Sequence, residues 1–188
     1  MQFVIASHNK HKIEEFRRIL EPLDIELIEA QLSEVEENGE TFIENAYVKA
    51  KSACLETGLP SIADDSGLCI DALGGEPGVR TARYAPEGQR KKTVLMKMKD
   101  VPDDKRTAYF VAAIACVFPN GDVIEVEGKC YGKIGYECKG EGGFGYDPIF
   151  MYGKHSFSEM SPEEKDAVSH RGVALRILED RLKEYLRK

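Results

Sequence analysis

The stretch TAYFVAAIACVF, residues 107–118, is apolar at almost every position, and Pro119-Asn120-Gly121-Asp122 follows it directly. Apolar residues on both alternating faces predict a central strand covered by other elements on each side. The Pro-Asn-Gly-Asp sequence predicts a tight hairpin. Residues 122–131 then return as a strand, with Ile124 and Val126 facing inward and Glu125 and Glu127 facing outward. A hairpin pairs its strands antiparallel, so the sheet cannot be purely parallel.

Toward the N-terminus, residues 2–6 read as a short buried strand, and the polar turn Ser7-His8-Asn9-Lys10 follows. Ile13, Phe16 and Leu20 recur at helical spacing. A second strand is expected over 25–29 and a polar, acidic loop over 31–40. Thr41 and Glu44 form a capping box that opens a long helix, with Phe42, Ala46, Ala50 and Ala53 as its buried face. Gly58 and Pro60 end it. Residues 61–63 are expected as a short strand running into Asp64-Asp65-Ser66-Gly67, with another strand over 68–72. Residues 74–90 read as loop and 90–99 as helix. Toward the C-terminus, 139–147 is glycine-rich, and Ser161-Pro162-Glu163-Glu164 starts a helix. Leu175, Leu178, Leu182 and Tyr185 form the stripe of the last helix. Helices alternating with strands, together with the hairpin, give an α/β fold with a mixed sheet. No repeat, low-complexity tract or linker divides the chain, so residues 1–188 are read as one domain.

Hydrophobic residues make up 42% and charged residues 31%, which predicts a soluble globular protein. The formal net charge of −7 argues against a nucleic-acid binder, which needs a basic footprint. It leaves room for a small basic pocket that takes a nucleotide. The N-terminal apolar run spans only Phe3 to Ala6, unlike a signal peptide. No segment approaches the roughly 18 apolar residues of a membrane span, so no membrane partner and a cytoplasmic location are expected. The five cysteines (Cys54, Cys69, Cys116, Cys130 and Cys138) contain no Cys-x-x-Cys pair and are expected to be reduced and mostly buried.

Four groups of residues can carry chemistry. Ser7, Asn9 and Lys12 sit where a strand gives way to a helix, a place that either binds phosphate or simply caps the helix. The run lacks the glycines of a P-loop. Asp64, Asp65, Glu36 and Glu37 offer hard oxygen ligands suited to Mg²⁺, or else form an ordinary turn and a solvated loop. In the run Gly140–Pro148, Phe144 can stack on a base and Asp147 can accept from a ring N–H; the alternative is a glycine-rich turn. Lys165, His170 and Arg171 suit a 6-oxo purine, because Lys and Arg only donate, or else balance neighbouring acids.

Taken together, these segments resemble the inosine triphosphate pyrophosphatases, enzymes that act on non-standard purine nucleotides. The resemblance rests on Ser7–Lys12, Glu36–Ala46, Ala63–Leu68, Gly74–Val79, Ala82-Arg83-Tyr84, Gly143–Pro148 and Ser169–Gly172. It spans almost the whole chain. It implies a two-lobed α/β fold, a long curved mixed sheet flooring a central active-site cleft, and a homodimer. The implied activity is Mg²⁺-dependent hydrolysis of ITP, dITP and XTP to the monophosphate and pyrophosphate by water attack at the α-phosphate, cleansing the nucleotide pool. By the same resemblance Ser7, Asn9 and Lys12 hold the triphosphate. Glu36 and Asp65 hold Mg²⁺, Asp65 also acts as general base, and Asp64 is an optional extra ligand. Ser66 touches the substrate, Phe144, Gly145, Tyr146 and Asp147 line the base and ribose pocket, and Lys165, His170 and Arg171 complete base recognition. His8 and His11 occupy places where small residues are common in that family.

Overall fold

In the computed structural model, which describes residues 1–187, the first strand β1 (Gln2–Ile5) leads into helix α1 (Lys10–Leu20). Asn9 caps α1, its side chain accepting from the backbone N–H groups of His11 and Lys12. After β2 (Glu26–Ile28) comes helix α2 (Phe42–Thr57), with the Thr41/Glu44 capping box formed in both directions. Gly58 ends α2 at φ 68°, a left-handed conformation that glycine adopts without strain. β3 (Ser61–Ile70), α3 (Arg90–Lys97), β4 (Thr107–Val117) and β5 (Val123–Ile134) follow. The chain continues through β6 (Phe150–Tyr152), β7 (His155–Ser156), α4 (Pro162–Val168) and α5 (His170–Leu186).

The seven strands form one sheet in the order β2-β1-β3-β4-β5-β6-β7. β1 pairs parallel with both β2 and β3, whereas β6 pairs antiparallel with β5 and β7, so the sheet is mixed as expected. The hairpin at 119–122 is closed by Phe118 N–H donating to Asp122 O at 2.9 Å and Gly121 N–H to Phe118 O at 2.9 Å. β4 is buried along nearly its whole length, and β5 alternates between exposed and buried positions.

Two expectations are corrected. Residues 61–72 are not two strands separated by an Asp-Asp-Ser-Gly turn; β3 runs unbroken from Ser61 to Ile70. The polar residues remain in a strand because partners on neighbouring elements satisfy them, which overrides their turn preference. On α2, Phe42 is only partly buried, and the buried face contains Asn45 beside Ala46, Ala50 and Ala53.

The chain divides into two compact units. The first comprises Met1–Asp65, Ala112–Gly128 and the chain from Arg171 on; the second comprises Ser66–Val111 and Lys129–His170. In the first unit the sheet is covered on both faces. Phe3, Ile5, Ile62, Ile114 and Cys116 pack against Ile13, Phe16 and Leu20 of α1 and Leu175, Leu178 and Leu182 of α5. Val4, Ala63, Ala115 and Val117 pack against Ala46, Ala50 and Ala53 of α2. The second unit has its own core, in which Leu68, Ile70, Phe110 and Ile134 meet Val94 of α3 and Met98 just after it, together with Phe150 and Phe157. Among the described residues, no helix is long and apolar enough to cross a membrane.

Candidate functional site

Ile62, Ala63, Asp64 and Asp65 are consecutive in β3, and consecutive strand side chains point to opposite faces. Ile62 packs with α1 and α5, and Ala63 packs with α2. Asp64 therefore falls on the α1/α5 face and Asp65 on the α2 face.

The partners follow from that division. Asp64 Oδ1 lies 3.0 Å from Lys12 Nζ. Asp64 Oδ2 accepts from Arg171 Nε at 3.2 Å and Nη2 at 2.9 Å. Arg171 Nη1 in turn donates to Glu15 Oε2 at 2.6 Å. Lys12 and Glu15 lie three residues apart on α1 and share one face of it. Burial alone would push the Asp64 carboxyl up, but Lys12, Arg171 and Lys49 hold it well below the usual carboxylate range. Burial lowers Lys12, against the opposing pull of Asp64.

Asp65 has a different setting. Its Oδ2 accepts from Asn45 Nδ2 at 2.9 Å, a neutral donor. Burial raises its pKa, assisted by the charge of Glu37 and opposed by Lys49 and Asn45. Lys49 Nζ donates to Glu37 Oε2 at 3.1 Å and to the backbone carbonyl of Asp64 at 2.8 Å. Glu36 is exposed and accepts from Asn38 Nδ2 at 2.8 Å. Ser66 follows Asp65 in β3 and is partly buried. At the start of α1, Asn9 N–H donates to Ser7 Oγ at 3.2 Å.

The base-reading candidates other than Arg171 lie in the second unit. Asp147 Oδ2 accepts from Phe144 N–H at 2.9 Å and from Lys165 Nζ at 2.7 Å. Both side chains of that ion pair are nearly fully buried, at 6% and 4% exposure. Lys165 Nζ also lies 4.6 Å from the Phe144 ring centroid. Gly143 is at φ 68°, and a Cβ there would run into Asp147 Oδ2, so the turn requires glycine. Gly145 is likewise at positive φ. The Tyr146 hydroxyl donates to Thr81 O at 2.8 Å, and burial pushes its pKa up to about 12. His170 is buried, with its ring stacked 4.6 Å from that of Phe110.

Residues 3–181 match the profile of the Ham1 family. The chain belongs to the Ham1 family. A protein of Bacillus cereus named dITP/XTP pyrophosphatase is 44% identical over 196 residues, covering 98% of this chain and 96% of that protein. One of Symbiobacterium thermophilum with the same name is 43% identical over 179 residues, covering 93% and 91%. Among solved structures, a HAM1 protein from Coxiella burnetii superposes with a TM-score of 0.89 at 39% identity, covering 98% of this chain and 99% of that one. The Ham1 protein of Staphylococcus aureus superposes with a TM-score of 0.85 at 35% identity, covering 98% and 100%.

In this Ham1-family chain, Lys12, Asp64 and Arg171 come together on one face of β3 and Asp65 meets Asn45 on the other, while Phe144, Asp147 and Lys165 come together in the second unit. His170 and Arg171 are neighbours in sequence but part at the unit boundary, His170 going to Phe110 and Arg171 to Asp64 and Glu15. The sequence motifs assign no role to Glu15, Asn45 or Lys49. Asn45 carried a signal: it is a polar residue beside Ala46 on the small-residue face of α2, and Lys49 lies one turn further on. Among the described residues, no three His, Cys, Asp or Glu side chains cluster into a self-sufficient metal site. Mg²⁺ does not need one, because it binds through one or two carboxylates and fills its shell with water and phosphate oxygens. The donor set fits such an ion. Glu36 accepts from a neutral amide, as Asp65 does from Asn45, whereas Asp64 is committed to two cations and Glu37 to Lys49.

Proposed function

We propose that this chain is a nucleoside triphosphate pyrophosphatase that cleaves ITP, dITP and XTP into the monophosphate and pyrophosphate. The names of its Ham1-family relatives support the reaction class. Within the chain, the observation that carries the reading is the division of labour between adjacent carboxylates. Asp64 is bound by Lys12 and Arg171, while Asp65 is oriented by the amide of Asn45.

The N-terminus of α1, with Ser7 and Asn9 before it, receives the triphosphate, drawing on backbone N–H groups and the helix dipole. Lys12 has three ammonium donors, so Asp64 holds it in place while other protons reach phosphate oxygens. Asp65 and Glu36 would hold Mg²⁺, which would supply positive charge to neutralise the phosphate oxygens. Asp65 accepts a proton from the water that attacks the α-phosphorus. The new oxygen–phosphorus bond forms as the α–β bridge breaks, and pyrophosphate leaves. Arg171 acts through Asp64, keeping that carboxylate fixed under Lys12. In the second unit, Phe144 stacks on the base, Lys165 donates toward a 6-oxo group, and Asp147 accepts a ring N–H. Adenine presents an amine to the same ammonium, donor against donor, and is disfavoured. The homodimer implied by resemblance belongs to this proposal and is read by sedimentation.

The test is pyrophosphate release from ITP, XTP, dITP, GTP and ATP, each with Mg²⁺ and with a chelator. Mg²⁺-dependent release favouring ITP, dITP and XTP is expected. Equal release from all five would discard the base-pocket assignment. No release from any would discard the reaction.

A further inference from the structure

Asn45 joins two pieces of the first unit, the acidic loop and β3, through one buried amide. Its Nδ2 donates to Asp65 Oδ2 at 2.9 Å, and its Oδ1 accepts from Gly39 N–H at 2.8 Å. Asp65 lies in β3, and Gly39 lies in the loop that also carries Glu36 and Glu37. The amide is 1% exposed and sits on the alanine face of α2, in a helix capped at both ends. The loop comes so close that a Cβ on Gly39 would meet Asn45 Oδ1 at 2.7 Å and Glu44 Cβ at 2.8 Å. The glycine at 39 is therefore a fitting requirement for this position of the loop.

The two hydrogen bonds also fix the orientation of the amide. A backbone N–H can only donate, so the group facing Gly39 must be the oxygen, and the amino group must face Asp65. An aspartate at this position would set a third negative charge beside Asp65 and Glu37. A longer or apolar side chain would lose one bond or both. Asparagine is the residue that can hold a carboxylate with one end and a loop backbone with the other while bringing no charge.

We propose that Asn45 is a positioning residue for the reaction, holding the acidic loop and the Asp65 carboxylate in one register so that their oxygens converge. The inference rests on the pyrophosphatase reading and on the assignment of Asp65 and Glu36 to a divalent cation. Residues behind a ligand typically change metal affinity or activity by about 10–100-fold when removed.

The experiment compares Asn45→Ala and Gly39→Ala with the unmodified chain. Mn²⁺ serves as the metal probe, hydrogen exchange reads the Gly39 amide, and steady-state kinetics use ITP. In Asn45→Ala, Mn²⁺ affinity and kcat are expected to fall about 10–100-fold, KM for ITP to change little, and the Gly39 amide to exchange faster. Gly39→Ala pushes the loop off the same amide and is expected to reproduce the losses in Mn²⁺ affinity and kcat without touching the core. It decides the matter if Asn45→Ala does not fold. Unchanged Mn²⁺ affinity and kcat in the variants that fold, as judged by circular dichroism, would overturn the proposal. A loss confined to thermal stability would do the same. Absence of pyrophosphate release from the unmodified chain would instead sink the pyrophosphatase reading, and Mn²⁺ affinity and Gly39 exchange would still decide for or against Asn45.

Discussion

Asp64 and Asp65 are chemically identical and adjacent, yet a strand's twofold alternation gives them opposite surroundings. Their substitutions should therefore separate. Asp64→Ala leaves Arg171 buried with Glu15 and removes the anchor of Lys12. Breaking a buried charge pair costs about 3–5 kcal/mol, so urea unfolding should show a loss of that order. Asp65→Asn keeps the shape and should leave the unfolding midpoint nearly in place while pyrophosphate release collapses. An Asp65→Asn variant with full turnover would remove Asp65 from the chemistry. In the second unit, Lys165→Met takes away the cation 2.7 Å from Asp147. On the proposed base-pocket reading the same change removes a charge-assisted hydrogen bond to the 6-oxo group, so the preference for ITP over ATP should fall about 10–100-fold in kcat/KM.

Among the elements, α2 places two polar side chains against the acidic loop and β3. It presents Asn45 to Asp65 and to Gly39, and Lys49 to Glu37 and to the Asp64 carbonyl. Its first turn depends on the Thr41/Glu44 box. Thr41→Ala should cost about 1 kcal/mol, measured by denaturant unfolding. The Glu44 carboxylate accepts from the backbone N–H groups of Thr41 and Glu40, which hold it below the usual carboxylate range. A depressed folded-state pKa adds stability that is fully present above the unfolded value, about 4.3, and is lost as pH falls through the folded value. The difference in helix stability between the unmodified chain and Glu44→Gln should therefore be constant near neutrality and vanish in acid. A difference that persists at low pH would assign the effect to something other than the charge.

At the scale of the whole chain, the cysteines give a simple reading of which surfaces are closed. Cys54, Cys69, Cys116 and Cys130 are buried and Cys138 is exposed, all five as free thiols. Burial also pushes the Cys130 thiol up to about 11 and raises Cys116 further, which slows their reaction with electrophiles. A thiol reagent should thus modify Cys138 alone in the native protein, with the five cysteines of the sequence reacting in denaturant. Rapid modification of a second thiol without denaturant would show that one of the cores opens readily.

Much of this was legible without coordinates, because it depends on local periodicity. The apolar run at 107–118, the Pro119–Asp122 hairpin, the Ile13-Phe16-Leu20 stripe and the Thr41/Glu44 box each carry their own geometry in their spacing. The ordered motifs also pointed to the family that the comparisons show. What spacing could not decide was the partner of each polar residue. Asp64-Asp65-Ser66-Gly67 has the composition of a turn and lies in a strand, because Lys12 in α1, Arg171 in α5 and Asn45 in α2 supply what water would have supplied to a loop. Arg171 and Asp64 are 107 residues apart, and no local pattern encodes a hydrogen bond of that span. The sequence by itself determined the helices, the hairpin and most of their apolar faces, but not that 64–67 continue a strand. The tertiary structure alone decided which charges meet, because the pairing of buried polar groups is set by the elements that pack over them.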